Sequence, residues 1–230
     1  MGSAAPVRGR EERGLRGGGA RISREADTGL QGPVADPHPV RLVVGDDLRR
    51  SRVTVFFRLV LVLPHLVWLE VWSVAVVFVV VFNWFATLFT GRTEPDVHSF
   101  VGRWLRYEVQ INAYLLLVAN PWPRFSGRPG EYPVELELDP PEPQSRWATL
   151  FRVVLVIPAY VFATVLGSVA QVVALIGWFA CLVLGRMPKG MCDLTAYCLR
   201  YQAQTFAYLL LLTSRYPSLA SGSGFQFEEA

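Results

Sequence analysis

A stripe of polar side chains occurs twice in this 230-residue chain. Helical steps of four, three and four residues would place Arg103, Tyr107, Gln110 and Tyr114 on one face of a helix. In an apolar setting these groups need hydrogen-bond partners, so the stripe indicates either bonds between helices or a polar crevice between two copies, such as a head-group pocket. The equivalent stripe, 94 positions later, consists of Tyr197, Tyr201, Gln204 and Tyr208.

Four arginines border the apolar segments and could contact lipid phosphates. Arg58 and Arg152 lie near the starts of two long apolar blocks, and Arg106 and Arg200 lie nearer the opposite side. Snorkelling of long cationic side chains to the interface explains all four. A specific site for an anionic lipid is the alternative.

Glu70 is a carboxylate inside the first apolar block, where the second copy has Thr164. An acid within a membrane is a functional candidate, with His65 five residues earlier as its proton partner. If the helix bends at Pro64, Glu70 would instead lie near the interface, where it costs little. The depth of Glu70 decides between these two interpretations.

Motifs for enzymatic chemistry are missing from the sequence, which contains no GxSxG, no HExxH and no phosphate loop. We therefore expect neither an enzyme nor a cofactor. The net charge of +3 is too small to indicate nucleic-acid binding. No metal site or disulfide framework is expected either, because the three cysteines lack CxxC spacing; they are Cys181, Cys192 and Cys198.

The elements that must position these residues are apolar and long. Hydrophobic residues make up 52% of the chain, its mean hydropathy is +0.31, and one block runs from Phe56 to Phe89. A helix of ~20 apolar residues spans a bilayer, so the composition predicts an integral membrane protein. The block is too long for one span, and we expect Pro64, like Pro158 in the second block, to divide it into an interfacial helix and a spanning helix.

The chain is a tandem duplication. A shift of 94 positions aligns Pro39–Pro123 with Pro133–Pro217 without a gap, and 30 of these 85 positions are identical. We expect a disordered tail at residues 1–38, repeat 1 at 39–125, a linker, strand and repeat 2 at 126–219, and a loose C-terminal tail at 220–230.

Each repeat reads as a short extended piece, a proline-interrupted apolar helix and a second helix. The predicted fold is an all-α membrane protein of two helical hairpins, about four transmembrane helices, with a small cytoplasmic sheet. The second helix would span only if its polar half faces protein, so a re-entrant or surface helix is the alternative. Phe82, Trp84 and Phe85 fit an interfacial aromatic belt.

Even numbers of helices predict parallel repeats about an axis along the bilayer normal, which excludes inverted repeats. The positive-inside rule places both termini in the cytoplasm. It weighs eight arginines on the side of the N-terminus, the middle segment and the C-terminus against four basic residues in the two hairpin loops. The eight are Arg41, Arg49, Arg50, Arg52, Arg124, Arg128, Arg146 and Arg215, and the four are Arg92, Arg103, Arg186 and Lys189.

The repeated pattern FRxxLxxP, WFAxLxxGR and LRYxxxxxAYLLLL resembles the bacterial membrane family called domain of unknown function 4389, frequent in actinobacteria, in two tandem copies. The resemblance covers about Pro39–Leu219. It implies an integral membrane protein without an established activity, so no catalytic residues are carried over. We expect the protein in the bacterial plasma membrane. The turn GRTEPDVHSF after Gly91 departs from the GRMPKG turn of the second copy.

We expect an accessory or scaffold component of a cell-envelope or transport assembly, because the short loops and absent chemistry favour it. Its partners would be the lipid bilayer, anionic lipids, and another membrane protein or a second copy of the chain. A small transporter or lipid-handling protein using a crevice between the repeats is the first alternative. A sensor of lipid composition or curvature is the second.

Overall fold

The computed structural model describes residues 38–45, 48–220 and 225–227. Except for His38, the predicted N-terminal tail lies outside these residues. Seven elements follow in chain order: β1 (Val40–Val44), α1 (Arg52–Thr90), α2 (Pro95–Leu115), β2 (Val134–Leu138), α3 (Arg146–Leu184), α4 (Lys189–Leu209) and β3 (Phe225–Phe227).

The two long helices, α1 and α3, each run unbroken for 39 residues. Pro64 and Pro158 lie inside them, so the predicted division into an interfacial and a spanning helix is wrong. A proline removes one backbone donor, and nothing in the apolar residues around it caps or ends a helix. The ends come at Gly91 and Gly185, whose left-handed φ angles of 74° and 71° suit glycine.

Among the described helices, α1 and α3 alone are long and apolar enough to cross a membrane. The predicted second helices, α2 and α4, are 21 residues each and largely buried by the rest of the chain. The sequence-based count of four spanning helices therefore has structural support for two.

A small sheet forms from the extended pieces, as the sequence predicted. Strands β1 and β2 pair antiparallel, with Leu42 opposite Leu136. Residues Phe225–Phe227, inside the predicted loose tail, add β3 parallel to β1. The inward side chains of β1 alternate with less buried ones: Val40, Leu42 and Val44 are buried.

The long helices α1 and α3 run in opposite directions, whereas the predicted arrangement of four spanning helices required them to run in the same direction. The indole of Trp84, near the end of α1, donates a hydrogen bond to the carbonyl of Thr149 near the start of α3, at 2.8 Å. The indole of Trp178, near the end of α3, donates to Val55 near the start of α1, at 2.9 Å. The prediction failed because it assumed that α2 returns the chain across the membrane.

The segments before the long helices also contact the loops after them. The Arg50 amide donates to the Gly185 carbonyl at 3.0 Å, and the Gln144 amide donates to the Gly91 carbonyl at 2.9 Å. The start of each long helix therefore lies beside the end of the other. The sequence-based prediction placed the segments before the long helices and the loops after them on opposite sides of the membrane. These contacts are not compatible with that separation.

The elements form three layers. One face of α2 packs on α1, where Trp72 and Tyr107 have ring centroids 5.7 Å apart. The opposite face of α2 packs on the sheet, because Arg106 donates to the Leu136 carbonyl at 2.9 Å. Helix α4 likewise has α3 on one side, through Gln202, and β1 on the other. The sheet and the long helices are therefore the outer layers, with α2 and α4 between them.

Candidate functional site

The polar stripe of α2 faces the interior of its own repeat. Tyr107 and Tyr114 are completely buried, and Gln110 is buried as well. The Tyr107 hydroxyl lies 2.7 Å from Nδ1 of His65 on α1, so the two groups share a hydrogen bond. Arg103, at the start of the stripe, is exposed.

The equivalent stripe of α4 ties the sheet and the C-terminal segment to the helix. The amide of Gln204 donates to the Val40 carbonyl at 3.1 Å, and its oxygen accepts from the Ser218 amide at the same distance. The hydroxyl of Tyr197 donates to the Leu219 carbonyl at 2.7 Å. Tyr201 is buried as well. These bonds fit the interpretation of the stripe as structural hydrogen bonding between elements.

The best-defined polar cluster surrounds the C-terminal end of α2, and we call it the first arginine cap. The buried guanidinium of Arg58 lies 4.2 Å above the Tyr114 ring and donates to the carbonyls of Tyr114 and Ala119. A cation at a helix C-terminus satisfies carbonyls that have no partner within the helix. Arg50 donates to the next carbonyls, those of Leu117 and Val118, at 3.0 Å each.

The second arginine cap repeats this arrangement at the end of α4. The Arg152 guanidinium lies 4.5 Å above the Tyr208 ring and donates to the carbonyls of Tyr208 and Thr213. Gln144 replaces Arg50; its amide donates to the Leu211 carbonyl at 2.8 Å, and its oxygen accepts from Arg152 at the same distance.

Both caps contain a leucine with left-handed backbone. Leu117 and Leu211 have φ angles of 63° and 66°, which cost a non-glycine residue roughly 1–2 kcal/mol. The carbonyl of each leucine accepts a side-chain hydrogen bond, from Arg50 and Gln144 respectively, and these bonds help to hold the turn.

The other two predicted lipid-contacting arginines also have protein partners. Arg106 contacts Glu135 at 3.4 Å in addition to the Leu136 carbonyl. Burial lowers the pKa of Arg106, an effect that Glu135 opposes, and burial raises the pKa of Glu135. Arg200 donates to the carbonyls of Ala220 and Ser218. Contact of any of the four arginines with a lipid stays a prediction.

Glu70 does not join the polar stripe. It is exposed on α1, and five residues of helix turn it about 140° away from His65, whose Nδ1 is bonded to Tyr107 instead. The sequence pattern placed these groups in one crevice, but the structure puts Glu70 on the flank of the helix and the stripe inside.

Two equivalent apolar grooves open between the repeats. The first has a volume of about 390 Å³ between the start of α1, the end of α2 and the second half of α3. The second, about 580 Å³, lies between the second half of α1, the start of α3 and the end of α4. Only the first is lined by Asn112 and Gln171, since the second repeat has Phe206 in place of Asn112 and the first has Val77 in place of Gln171.

Sequence reasoning missed several of these functional contacts. Trp84 was assigned to an interfacial belt, although it is half-buried and joins the two repeats. The signal was present, because the tryptophans at positions 84 and 178 belong to the WFAxL segment that both copies share, whereas the four residues before it differ. Arg50 had been counted only as a charge.

The three cysteines lie in the interior of the described part of the chain. Cys181, Cys192 and Cys198 are buried thiols. No group of three or more His, Cys, Asp or Glu side chains among the described residues could hold a metal ion.

The fold and its caps define a duplicated helical protein in which the two repeats share one small sheet. The family model described as Domain of unknown function (DUF4389) matches residues 52–126 and again residues 146–221. The chain belongs to this family and contains two tandem copies of its domain, which confirms the sequence-based resemblance. No curated protein and no solved structure matches the chain.

Proposed function

We propose that this protein is a bacterial membrane protein held in the plasma membrane by α1 and α3, with both termini on the cytoplasmic side. The observation that carries the proposal is the exposure of large apolar side chains along both helices, from Val53 and Trp147 at their starts to Phe89 and Leu184 at their ends. Monomeric soluble proteins rarely expose contiguous apolar patches larger than a few hundred Å².

A second part of the proposal concerns its role in the membrane. We assign it a non-enzymatic accessory or scaffold function in an envelope or transport assembly. The paired caps and the cross-repeat tryptophan bonds support this role, because they hold a rigid frame with two different faces. The sheet face carries charged side chains, including the ion pair between Arg41 and Glu137 at 2.9 Å.

Membrane attachment is tested by extracting native membranes with alkaline carbonate. We expect the protein to remain in the pellet, and release into the supernatant would reject attachment by embedded helices. The scaffold role is tested by solubilising membranes in lipid-retaining particles and identifying proteins present in stoichiometric amounts. Glu137→Lys on the sheet face should reduce the amount of a partner that copurifies with the protein. Glu70→Gln on the flank of α1 should leave that amount unchanged.

Lipid handling is a second candidate, favoured by the two equivalent grooves. Their volumes fall in the range of ligand pockets, ~300–1,000 Å³, and their walls are mainly Leu, Val and Trp. The ligand would be one acyl chain of a membrane phospholipid. Mass spectrometry of the purified protein should find bound lipid that is lost in Ala174→Trp, which fills the first groove, and kept in Ala86→Trp, an exposed control outside both grooves.

A further inference from the structure

The length of α1 and α3 does not match a bilayer. At ~1.5 Å per residue, 39 residues extend about 58 Å, against a hydrocarbon core of ~30 Å. A tilt of ~40°, the upper end of the usual range, still leaves about 45 Å along the normal. The helices are apolar to both ends, since Val53 and Phe89 are 69% and 74% exposed. A spanning orientation would therefore leave apolar turns in water.

The sheet lies level with the middle of α1. On one side of α2, Trp104 donates to Ser73 at 3.1 Å, close to the midpoint of α1. On the opposite side of α2, a Cβ at Gly102 would lie 3.0 Å from the Leu138 side chain, and Arg106 bonds to Leu136. Only the width of α2 therefore separates the centre of α1 from strand β2.

The position of the sheet opposite the middle of α1 argues against a spanning orientation of that helix. If α1 were parallel to the bilayer normal, the sheet would lie at the bilayer centre. Its outer face contains Arg41, which contacts Glu137 at 2.9 Å and Asp139 at 3.2 Å, and these side chains are partly exposed. Exposed charges and the edges of an open sheet are both disfavoured in hydrocarbon.

The internal symmetry also relates the layers to the membrane. Because Leu42 and Leu136 are equivalent positions that face each other in an antiparallel pair, the pseudo-twofold axis passes between them perpendicular to the sheet. The same axis exchanges α1 with α3, which are antiparallel and lie in the opposite outer layer. If the layer of α1 and α3 lies against a membrane, the pseudo-twofold axis is parallel to the membrane normal.

The side of α1 that faces away from the protein is apolar along its whole length. Val53, Val71 and Phe89 are spaced by 18 residues, or five turns, and all three are exposed. They lie almost opposite the stripe that packs on the protein, and the equivalent positions of α3 are Trp147, Val165 and Val183. The buried stripe of α1 consists of Val55, Arg58, Val62, His65, Val76, Asn83 and Thr87.

Exposed arginines mark both ends of each long helix. Arg52 and Arg92 flank α1, and Arg146 and Arg186 flank α3; Arg52 also donates to the Val183 carbonyl at 3.0 Å. In a helix parallel to the membrane, all four guanidinium groups lie at the level of the lipid phosphates, where each attracts anionic lipid.

We infer that α1 and α3 lie flat in one leaflet of the membrane, with their outward apolar faces in the acyl chains and the sheet in the aqueous phase. The inference rests on the membrane attachment proposed above. The surface that α1 and α3 form docks on a phospholipid leaflet rich in anionic head groups, and none of the described helices crosses the bilayer.

Nitroxide labels measure the depth of each helix position directly. Single cysteines are introduced at Val53, Val71 and Phe89 in the full chain, reconstituted into phosphatidylglycerol and phosphatidylcholine vesicles, and labelled under native conditions. The unmodified chain is the blank, because its three thiols are buried. Accessibility to oxygen is compared with accessibility to a water-soluble nickel chelate. The equivalent series in α3, at Trp147, Val165 and Val183, repeats the test independently.

The three positions should have the same depth within about one helical turn, ~5 Å, in both series. A spanning helix would instead place Val71 near the bilayer centre and each end about 27 Å from it along the helix, which would overturn the flat orientation but not membrane attachment. Chelate access equal to that of a soluble site at all positions would reject the attachment itself, and the inference with it.

Discussion

Leu42 and Leu136 face each other across the β1–β2 ladder, although they are the same position of two repeats that lie 94 residues apart in the chain. This pairing places the pseudo-twofold axis perpendicular to the sheet. It also explains why the repeats are antiparallel, since two strands related by such an axis must run in opposite directions. The two repeats therefore share this sheet, and each repeat supplies one of its paired strands.

The arginine caps should contribute strongly to stability. Arg58→Met keeps the side-chain volume but removes the donors for the buried carbonyls of Tyr114 and Ala119, so we expect a loss of about 2 kcal/mol. Arg152→Met should behave alike in the second repeat. Denaturant unfolding in mild detergent measures the effect. Exposed Arg103→Met is the control and should change stability by less than about 0.5 kcal/mol.

The cross-repeat tryptophan bonds should act independently. Trp84→Phe and Trp178→Phe each remove one indole donor at opposite ends of the paired helices, at an expected cost of about 1 kcal/mol each. Because the two sites are far apart, the double variant should show the sum. Trp68→Phe, a substitution at an exposed position of α1, serves as the control. A double variant no less stable than either single one would contradict the prediction.

Glu108 should make folding depend on pH. Burial raises its pKa to about 7, while the Asn112 side chain, which donates to it, works in the opposite direction. The folded state holds this proton more tightly than the unfolded state, so the stabilisation is complete below about pH 4.5 and is lost as the pH rises through about 7.

Glu108→Gln introduces the residue that the second repeat has at Gln202. The variant should match the parent at acidic pH and be more stable by about 2 kcal/mol at pH 8. Unfolding curves measured across this pH range test it. A pH profile that is the same in the parent and in Glu108→Gln would contradict the prediction.

The arginines at the ends of the long helices should set the preference for anionic lipid. Arg92→Gln and Arg186→Gln each remove one cation from the proposed head-group level, and each should weaken binding to phosphatidylglycerol vesicles by about 1 kcal/mol, or roughly fivefold. Binding to neutral vesicles should change little. Arg41→Gln on the sheet face is the matched control, and an equal loss for it would indicate general attraction by net charge.

Local patterns in the sequence predicted the elements well and their arrangement poorly. The short extended piece of each repeat predicted β1 and β2, and the long apolar blocks predicted α1 and α3. The predicted break at Pro64 failed because one missing donor does not end a helix whose other bonds and packing persist.

The direction of the repeats could not be read from the sequence. Counting spans assumed that every apolar helix crosses the bilayer, and identity between copies gives no direction. Contacts between residues far apart in the chain decide it, such as that between Trp178 and Val55. Three residues of the predicted stripe, Tyr107, Gln110 and Tyr114, are buried, but their partners, such as His65 for Tyr107, come from the packing of α1 on α2.

The sides on which the two ends of α1 are accessible test the central claim most directly. Ser51→Cys and Thr90→Cys flank this helix, and Glu137→Cys on the sheet provides the reference. A membrane-impermeant maleimide is applied to intact spheroplasts and to inside-out vesicles. Our account predicts that all three positions are labelled only in the inside-out vesicles. Labelling of Ser51→Cys and Thr90→Cys from opposite sides of the membrane would contradict it.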